Sequence, residues 1–142
     1  MPEDKQHTIQ KLYNSDDVLK DKQVLIVDDD MRNTFAMSKI LKDGGMDVGI
    51  AKDGQKALEY LDQHPDVDIV LMDIMMPIMD GFETMKRIRA QARFKYLPIL
   101  ALTAKAMQGD KQRCLDAGAN DYLSKPVDTQ KLLSMMRVWL YL

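Results

Sequence analysis

The residues of this chain best suited to chemistry are acids placed where an apolar run ends. Ile69-Val70-Leu71-Met72 runs into Asp73, and Val24-Leu25-Ile26-Val27 runs into Asp28-Asp29-Asp30. A single acid after a strand is ordinarily a turn or helix-cap residue. Two acid-tipped runs in one small chain point instead to a shared acidic pocket at the edge of a sheet. Thr103 closes the run Ile99-Leu100-Ala101-Leu102 in the same way, and Lys125 follows Asp121-Tyr122-Leu123-Ser124. Carboxylates held close together repel and raise one another's pKa, a conflict that a hard divalent cation removes. Mg2+ suits such a site, because it takes oxygen ligands, keeps several waters and works with few carboxylates plus a phosphoryl group. Lys125 would add a fixed positive charge for phosphate oxygens, Thr103 a hydroxyl donor and Ala104 a backbone N–H. A carboxylate flanked by Mg2+ and a lysine can act as a nucleophile toward phosphorus. The chemistry indicated is an aspartyl phosphate, and Asp73, the solitary acid, is the expected acceptor.

The elements that must position these groups alternate along the chain. Strands are expected at residues 23–27, 47–51, 68–72, 99–103 and 121–124, and helices at 31–43, 55–62, 82–90, 108–117 and 128–140. The first, third and fourth strands are apolar throughout, the mark of parallel strands covered on both faces. Such a repeat implies an α/β doubly wound sheet with right-handed crossovers, and a site at the carboxyl ends of its strands. Phe35, Ala36, Ile40 and Leu41 are expected on the inner face of the first helix, Ala57, Leu58 and Leu61 on that of the second, and Phe82, Met85 and Ile88 on that of the third. Asp30 is expected to cap the first helix, and Gly44-Gly45 to stop it.

The last two helices differ from the rest. The fourth has only Cys114, Leu115 and Ala117 as apolar points, which predicts low local stability and suits a segment that must shift. The fifth has an apolar stripe of Leu132, Leu133, Met136, Trp139 and Leu140, and a second of Met135, Val138 and Leu142 that faces elsewhere. The second stripe is a candidate surface for a partner or a homodimer.

Length and composition narrow the class. The chain has 142 residues, enough for one domain with a real core; residues 1–22 read as an N-terminal tail or linker and 23–142 as the domain. A net charge of −2 gives no sequence-independent pull toward nucleic acid, and no nucleic-acid partner is expected. One cysteine, Cys114, cannot form an internal disulfide, which favours a reducing, cytoplasmic location, although a parent protein could be membrane-attached. No apolar run approaches the ~20 residues that span a bilayer. His7 and His64 lack ligand partners at useful spacing and are expected on the surface, and thioethers such as Met72, Met75, Met76 and Met79 do not suit Mg2+.

The acid-tipped runs, with Leu71-Met72-Asp73-Ile74-Met75-Met76-Pro77-Ile78-Met79-Asp80-Gly81, Ala101-Leu102-Thr103-Ala104, Ala117-Gly118-Ala119-Asn120-Asp121-Tyr122 and Lys125-Pro126, stand in order across residues 23–140. In this the chain resembles the receiver domain of two-component response regulators. The resemblance implies a flavodoxin-like (βα)5 fold with a five-stranded parallel sheet of order 2-1-3-4-5. It implies that Asp73 accepts a phosphoryl group from a phosphohistidine of a histidine kinase or a histidine phosphotransfer domain. It makes Asp29 a direct Mg2+ ligand and Asp28 one acting mainly through water, with the backbone carbonyl of Met75 and Asp73 completing the set. Lys125 pairs with Asp73 or its phosphate, Thr103 follows the phosphate, and Tyr122 reports by turning inward. The surface of the last two strand–helix units is thereby switched. The peptide before Pro126 is expected to be cis.

Asp30-Met31-Arg32-Asn33-Thr34-Phe35-Ala36 and Leu132-Leu133-Ser134-Met135-Met136-Arg137-Val138-Trp139-Leu140 resemble receivers fused to hybrid sensor histidine kinases. A stand-alone single-domain regulator is the alternative setting. Such a domain is not a conventional enzyme, although it catalyses its own phosphorylation and dephosphorylation. A different class, the Mg2+-dependent hydrolases with an aspartate nucleophile, is suggested by Asp28-x-Asp30. That pattern wants Thr or Val where Arg32 stands, and no second domain serves as a cap.

Overall fold

A computed structural model describes residues 18–76, 79–104 and 108–141. Five strands, β1 (Gln23–Val27), β2 (Asp47–Ala51), β3 (Ile69–Asp73), β4 (Ile99–Thr103) and β5 (Asp121–Ser124), form one parallel sheet in the order β2-β1-β3-β4-β5. Five helices connect and follow them: α1 (Met31–Asp43), α2 (Gly54–Gln63), α3 (Gly81–Arg89), α4 (Gln108–Ala117) and α5 (Thr129–Tyr141). This is the sheet order expected of the sequence, with element ends within one residue of the expected ones. The clearest shift is at β3, whose ladder continues through Asp73.

The alternation of side chains along each strand divides the core into two layers. On one face Val24, Ile26, Ile69, Leu71, Leu100, Leu102 and Leu123 pack under Leu41 of α1 and Leu132 and Met136 of α5. On the other, Leu25, Val27, Val70, Met72, Ile99 and Ala101 pack under α2, α3 and α4. Each fully buried leucine or isoleucine contributes about 1.5–3 kcal/mol. The sheet centre therefore holds the strand ends, and whatever they bear, in a fixed frame.

Aspartates set the helix starts. Asp30, Asp53 and Asp80 cap α1, α2 and α3, accepting from the backbone N–H of Arg32, Lys56 and Glu83 at 3.0, 2.8 and 2.9 Å. At the far end of α1, Gly44 donates back to Ile40 and Leu41, and Gly45 takes φ +89°, the conformation glycine permits at a helix end.

The inner face of α1 differs from the expected one. Thr34, Ser38 and Leu41 are buried, whereas Phe35 is 73% exposed and Ala36 and Ile40 also face outward. The Asp30 cap fixes the helix start beside the pocket and so sets which side of α1 meets the sheet. The buried Thr34 hydroxyl donates to the Met31 carbonyl at 3.0 Å, which satisfies it there. Just before β1, Leu19 is buried in the α1/α5 layer, and the Asp21 backbone N–H donates to the Gly45 carbonyl at 2.8 Å. The packed unit thus reaches back into the segment expected to be tail. Residues 1–17, His7 among them, and Leu142 lie outside the described residues. His64 is half-buried, its ring stacked on Tyr60 at 4.1 Å.

Candidate functional site

Strand register brings the polar strand ends level. Val27 pairs with Met72, so Asp28, one residue on, stands beside Asp73; Asp73 pairs with Leu102, and Thr103 with Ser124, immediately before Lys125. Backbone bonds continue the alignment past the ladders. Asp28 donates to the Ala51 carbonyl at 3.1 Å, Ile74 to Leu102 at 3.1 Å and Lys125 to Thr103 at 2.7 Å. The expected cis peptide joins Lys125 to Pro126.

Asp28 and Asp73 are almost wholly buried, while Asp29 is exposed. One oxygen of each of the three lies within 4.8 Å of the others. Lys125 Nζ reaches Asp73 Oδ1 at 3.0 Å and Asp28 Oδ2 at 3.5 Å. Asp73 Oδ1 also accepts from the Met75 backbone N–H at 3.3 Å, and Asp28 Oδ1 from that of Asp30 at 2.9 Å. The β3–α3 turn presses tightly against this edge. Gly81 donates to the Ile74 carbonyl at 3.0 Å, and a Cβ there would lie 2.5 Å from the Asp73 carbonyl oxygen, so only glycine fits.

Burial pushes the Asp73 carboxyl above its ordinary range. The Lys125 hydrogen bond pulls against that shift and the charge on Asp28 adds to it, leaving the net direction upward. Burial would lower the Lys125 ammonium, but its contacts with Asp73 and Asp28 prevail and hold it above the usual lysine value. One lysine beside three carboxylates leaves the pocket short of positive charge. An all-oxygen donor set, partly open through Asp29, is the chemistry that suits a hard cation such as Mg2+.

Of the expected site residues, Asp28, Asp29, Asp73 and Lys125 meet in one pocket. Thr103 is buried at the adjoining end of β4. Tyr122 stands apart, half-buried under α4, with Lys111 Nζ 5.5 Å from its ring centre. Three features were not anticipated. A groove of ≈ 240 Å³ opens beside the pocket, lined by Asn33, Met37, Ile40, Val127, Asp28 and Lys125. Met31, which follows Asp30, and Met75, two residues after Asp73, are 65% and 72% exposed. Arg89 ties the end of α3 to the α4–β5 connection, donating to the Gly118 carbonyl at 2.9 and 2.8 Å and to Asn120 Oδ1 at 2.7 Å. The exposed apolar run of α1 was the available signal for the groove; the arginine clamp has none in the spacing of residues.

Comparison with known proteins agrees with this geometry. The family model for the response regulator receiver domain matches residues 24–137. Hybrid signal transduction histidine kinase M of Dictyostelium discoideum is 40% identical over 118 residues, covering 80% of this chain and 5% of that protein. Transcriptional regulatory protein CpxR of Escherichia coli K12 is 36% identical over 115 residues, covering 81% and 47%. The chain thus spans a small part of the hybrid kinase and about half of the regulator. Among solved structures, the receiver domain of a sensor histidine kinase from Pseudomonas aeruginosa PAO1 has a TM-score of 0.80. It is 35% identical, with 86% of this chain and 99% of that one covered, and is described with a magnesium ion coordinated in its active site cleft. No described helix is long and apolar enough to cross a membrane. With its sheet order, its acid–lysine pocket and a family match over most of its length, the chain belongs to the response regulator receiver domains of two-component systems.

Proposed function

We propose that Asp73 is the phosphoacceptor of this receiver domain, and that it takes its phosphoryl group from a phosphohistidine of a histidine kinase or histidine phosphotransfer domain. The observation that carries the reading is the Asp73–Lys125 contact of 3.0 Å inside a pocket that also holds Asp28 and Asp29. Asp28, Asp29, Asp73 and the Met75 backbone carbonyl would hold Mg2+. Bound there, Mg2+ supplies positive charge for the phosphoryl oxygens and relieves the crowding of the carboxylates.

The residues of the chain do the rest. A carboxylate oxygen of Asp73 attacks phosphorus, the P–N bond of the donor breaks, and the departing imidazole leaves as neutral histidine once it holds a proton. Lys125, held at the pocket by both Asp73 and Asp28, passes from the carboxylate to a phosphoryl oxygen as charge moves outward. Thr103, one residue beyond the partner of Asp73 in the ladder, supplies a hydroxyl to the same group. Water then attacks phosphorus, the P–O bond to Asp73 breaks and inorganic phosphate leaves, so the domain turns over its own phosphate without being a conventional enzyme. The exposed Met31, Phe35 and Met75 beside an acidic pocket suit a protein donor better than a small charged one.

The signal then passes from Thr103 to Tyr122, which turns inward, and to the surface of α4, β5 and α5. Met135 and Val138 of α5 offer that surface to a partner or a second copy; both are half-exposed beside a hollow that also includes Lys131, Ser134 and Asp121. The domain acts in the cytoplasm, as the receiver of a hybrid histidine kinase or as a stand-alone regulator. Incubation with a small phosphodonor and Mg2+, followed by intact mass measurement, tests the core of the reading. One acid-stable, base-labile phosphate is expected, and none in Asp73→Asn. Steady consumption of the donor with no adduct captured would favour the hydrolase alternative.

A further inference from the structure

Helix α4, which follows β4, is held differently at its C-terminal end and along its middle. At its C-terminal end the chain is clamped. Arg89 binds the Gly118 carbonyl and Asn120 Oδ1, Asn120 Oδ1 also accepts from the Ile99 backbone N–H at 2.9 Å, and Cys114 and Ala117 are buried. One turn in from its start, Lys111, Gln112 and Arg113 are all exposed. The two cations among them rest on rings of neighbouring elements: Arg113 on Phe82 of α3 at 4.4 Å, and Lys111 on Tyr122 of β5 at 5.5 Å. Both lie within the ~6 Å over which a cation is drawn to an aromatic face.

We propose that Lys111 is a positioning residue of the switch: its ammonium, seated on the Tyr122 ring, holds Tyr122 in its half-exposed place and ties the first turns of α4 to that place. The proposal rests on the reading of Tyr122 as the reporter of Asp73. Tyr122 sits opposite Ala101, the smallest side chain of β4, so the neighbour in the ladder that an inward turn would pass is a small one. The turn takes the ring from under Lys111. Among the described residues the Lys111 ammonium joins no carboxylate, and the Tyr122 ring is the contact that holds it. With the clamp at Gly118 intact, the N-terminal half of α4 is then the half released. The ring contact and the phosphoryl signal oppose each other, and Lys111 sets how much of the signal is needed.

The experiment uses the full chain labelled with 3-fluorotyrosine, the Tyr122 resonance being assigned with Tyr122→Phe. Wild type, Lys111→Met and Lys111→Arg are compared with Mg2+ alone and with Mg2+ plus beryllofluoride as a phosphoryl mimic. Loss of the charge in Lys111→Met is expected to move the unactivated Tyr122 signal toward its activated position, by roughly a two- to fivefold change in the ratio of the two states. Lys111→Arg should restore the wild-type position. A Tyr122 signal in Lys111→Met that coincides with wild type in both conditions overturns the latch, even if thermal stability falls. If wild-type Tyr122 does not respond to beryllofluoride although Asp73 takes up phosphate, the switch reading fails, and the latch with it.

Discussion

The carboxyl edge of β1 and β3 and the N-terminal half of α4 lie in one domain but are held by opposite means. At the edge every side chain of β3 is buried, both neighbouring strands are paired, and the acids are fixed by backbone N–H groups and one lysine. Along α4 the described apolar burial lies in the second half, at Cys114 and Ala117, and Lys111 and Arg113, mid-helix and exposed, meet their neighbours as cations on rings. A site that must place a nucleophile within a fraction of an ångström needs the first kind of support. A segment that must change position at modest free-energy cost needs the second.

The largest effect expected from this contrast is in the core. Leu71→Ala, beneath the pocket, should cost about 2–5 kcal/mol, and Leu115→Ala, half-buried on α4, less than about 1 kcal/mol. Urea unfolding followed by the fluorescence of Trp139, the only tryptophan, measures both. Equal losses would erase the contrast.

Next in size is the metal. Mg2+ at about one hundred times its Kd should stabilise the native chain by about 2.7 kcal/mol. Asp29→Asn, which changes the exposed member of the acid trio, should leave the stability in EDTA nearly unchanged and remove most of the Mg2+ increment. An increment of undiminished size would place the ion elsewhere.

Acidity gives a smaller effect. Native Asp73 binds its proton more tightly than the unfolded chain does, because burial raises its pKa above the ordinary 3.8. In EDTA its contribution to stability is therefore greatest below the ordinary value and is lost as pH rises through the raised native one. Asp73→Asn should remove that descending slope and raise the melting temperature at neutral pH by a few degrees. An unchanged slope in a series of thermal melts would mean that Lys125 fully offsets the burial.

The smallest effect is at the helix surface. Arg113→Ala should cost about 0.5–1 kcal/mol and speed amide exchange along α4 while leaving β3 untouched. Exchange that rises equally in both regions would show that α4 does not open on its own.

The rigid region was the legible one. Apolar runs ending in acids, such as Ile69-Val70-Leu71-Met72-Asp73, state both the buried parallel strand and the placement of its last residue, because burial on both faces permits little else. The register that sets Asp28 beside Asp73 follows from aligning two fully buried apolar runs that both end in an acid. Helix phase was harder. On α1 the apolar Phe35 and Ile40 face outward while Thr34 and Ser38 are buried, since the Asp30 cap and the pocket, not hydrophobicity, decide its rotation. Leu19 was hidden by the polar residues around it. The contacts that hold α4, Arg89 to Gly118, Arg113 to Phe82 and Lys111 to Tyr122, join residues far apart in sequence and leave no periodic trace.

The central claim is that one carboxylate among several takes the phosphoryl group. Phosphorylated chain, reduced with borohydride to convert an aspartyl phosphate to homoserine and then sequenced by tandem mass spectrometry, tests it most directly. Homoserine at position 73 alone is the predicted result; homoserine at Asp28, Asp29 or Asp30, or at no position in a chain that has taken up phosphate, would contradict it.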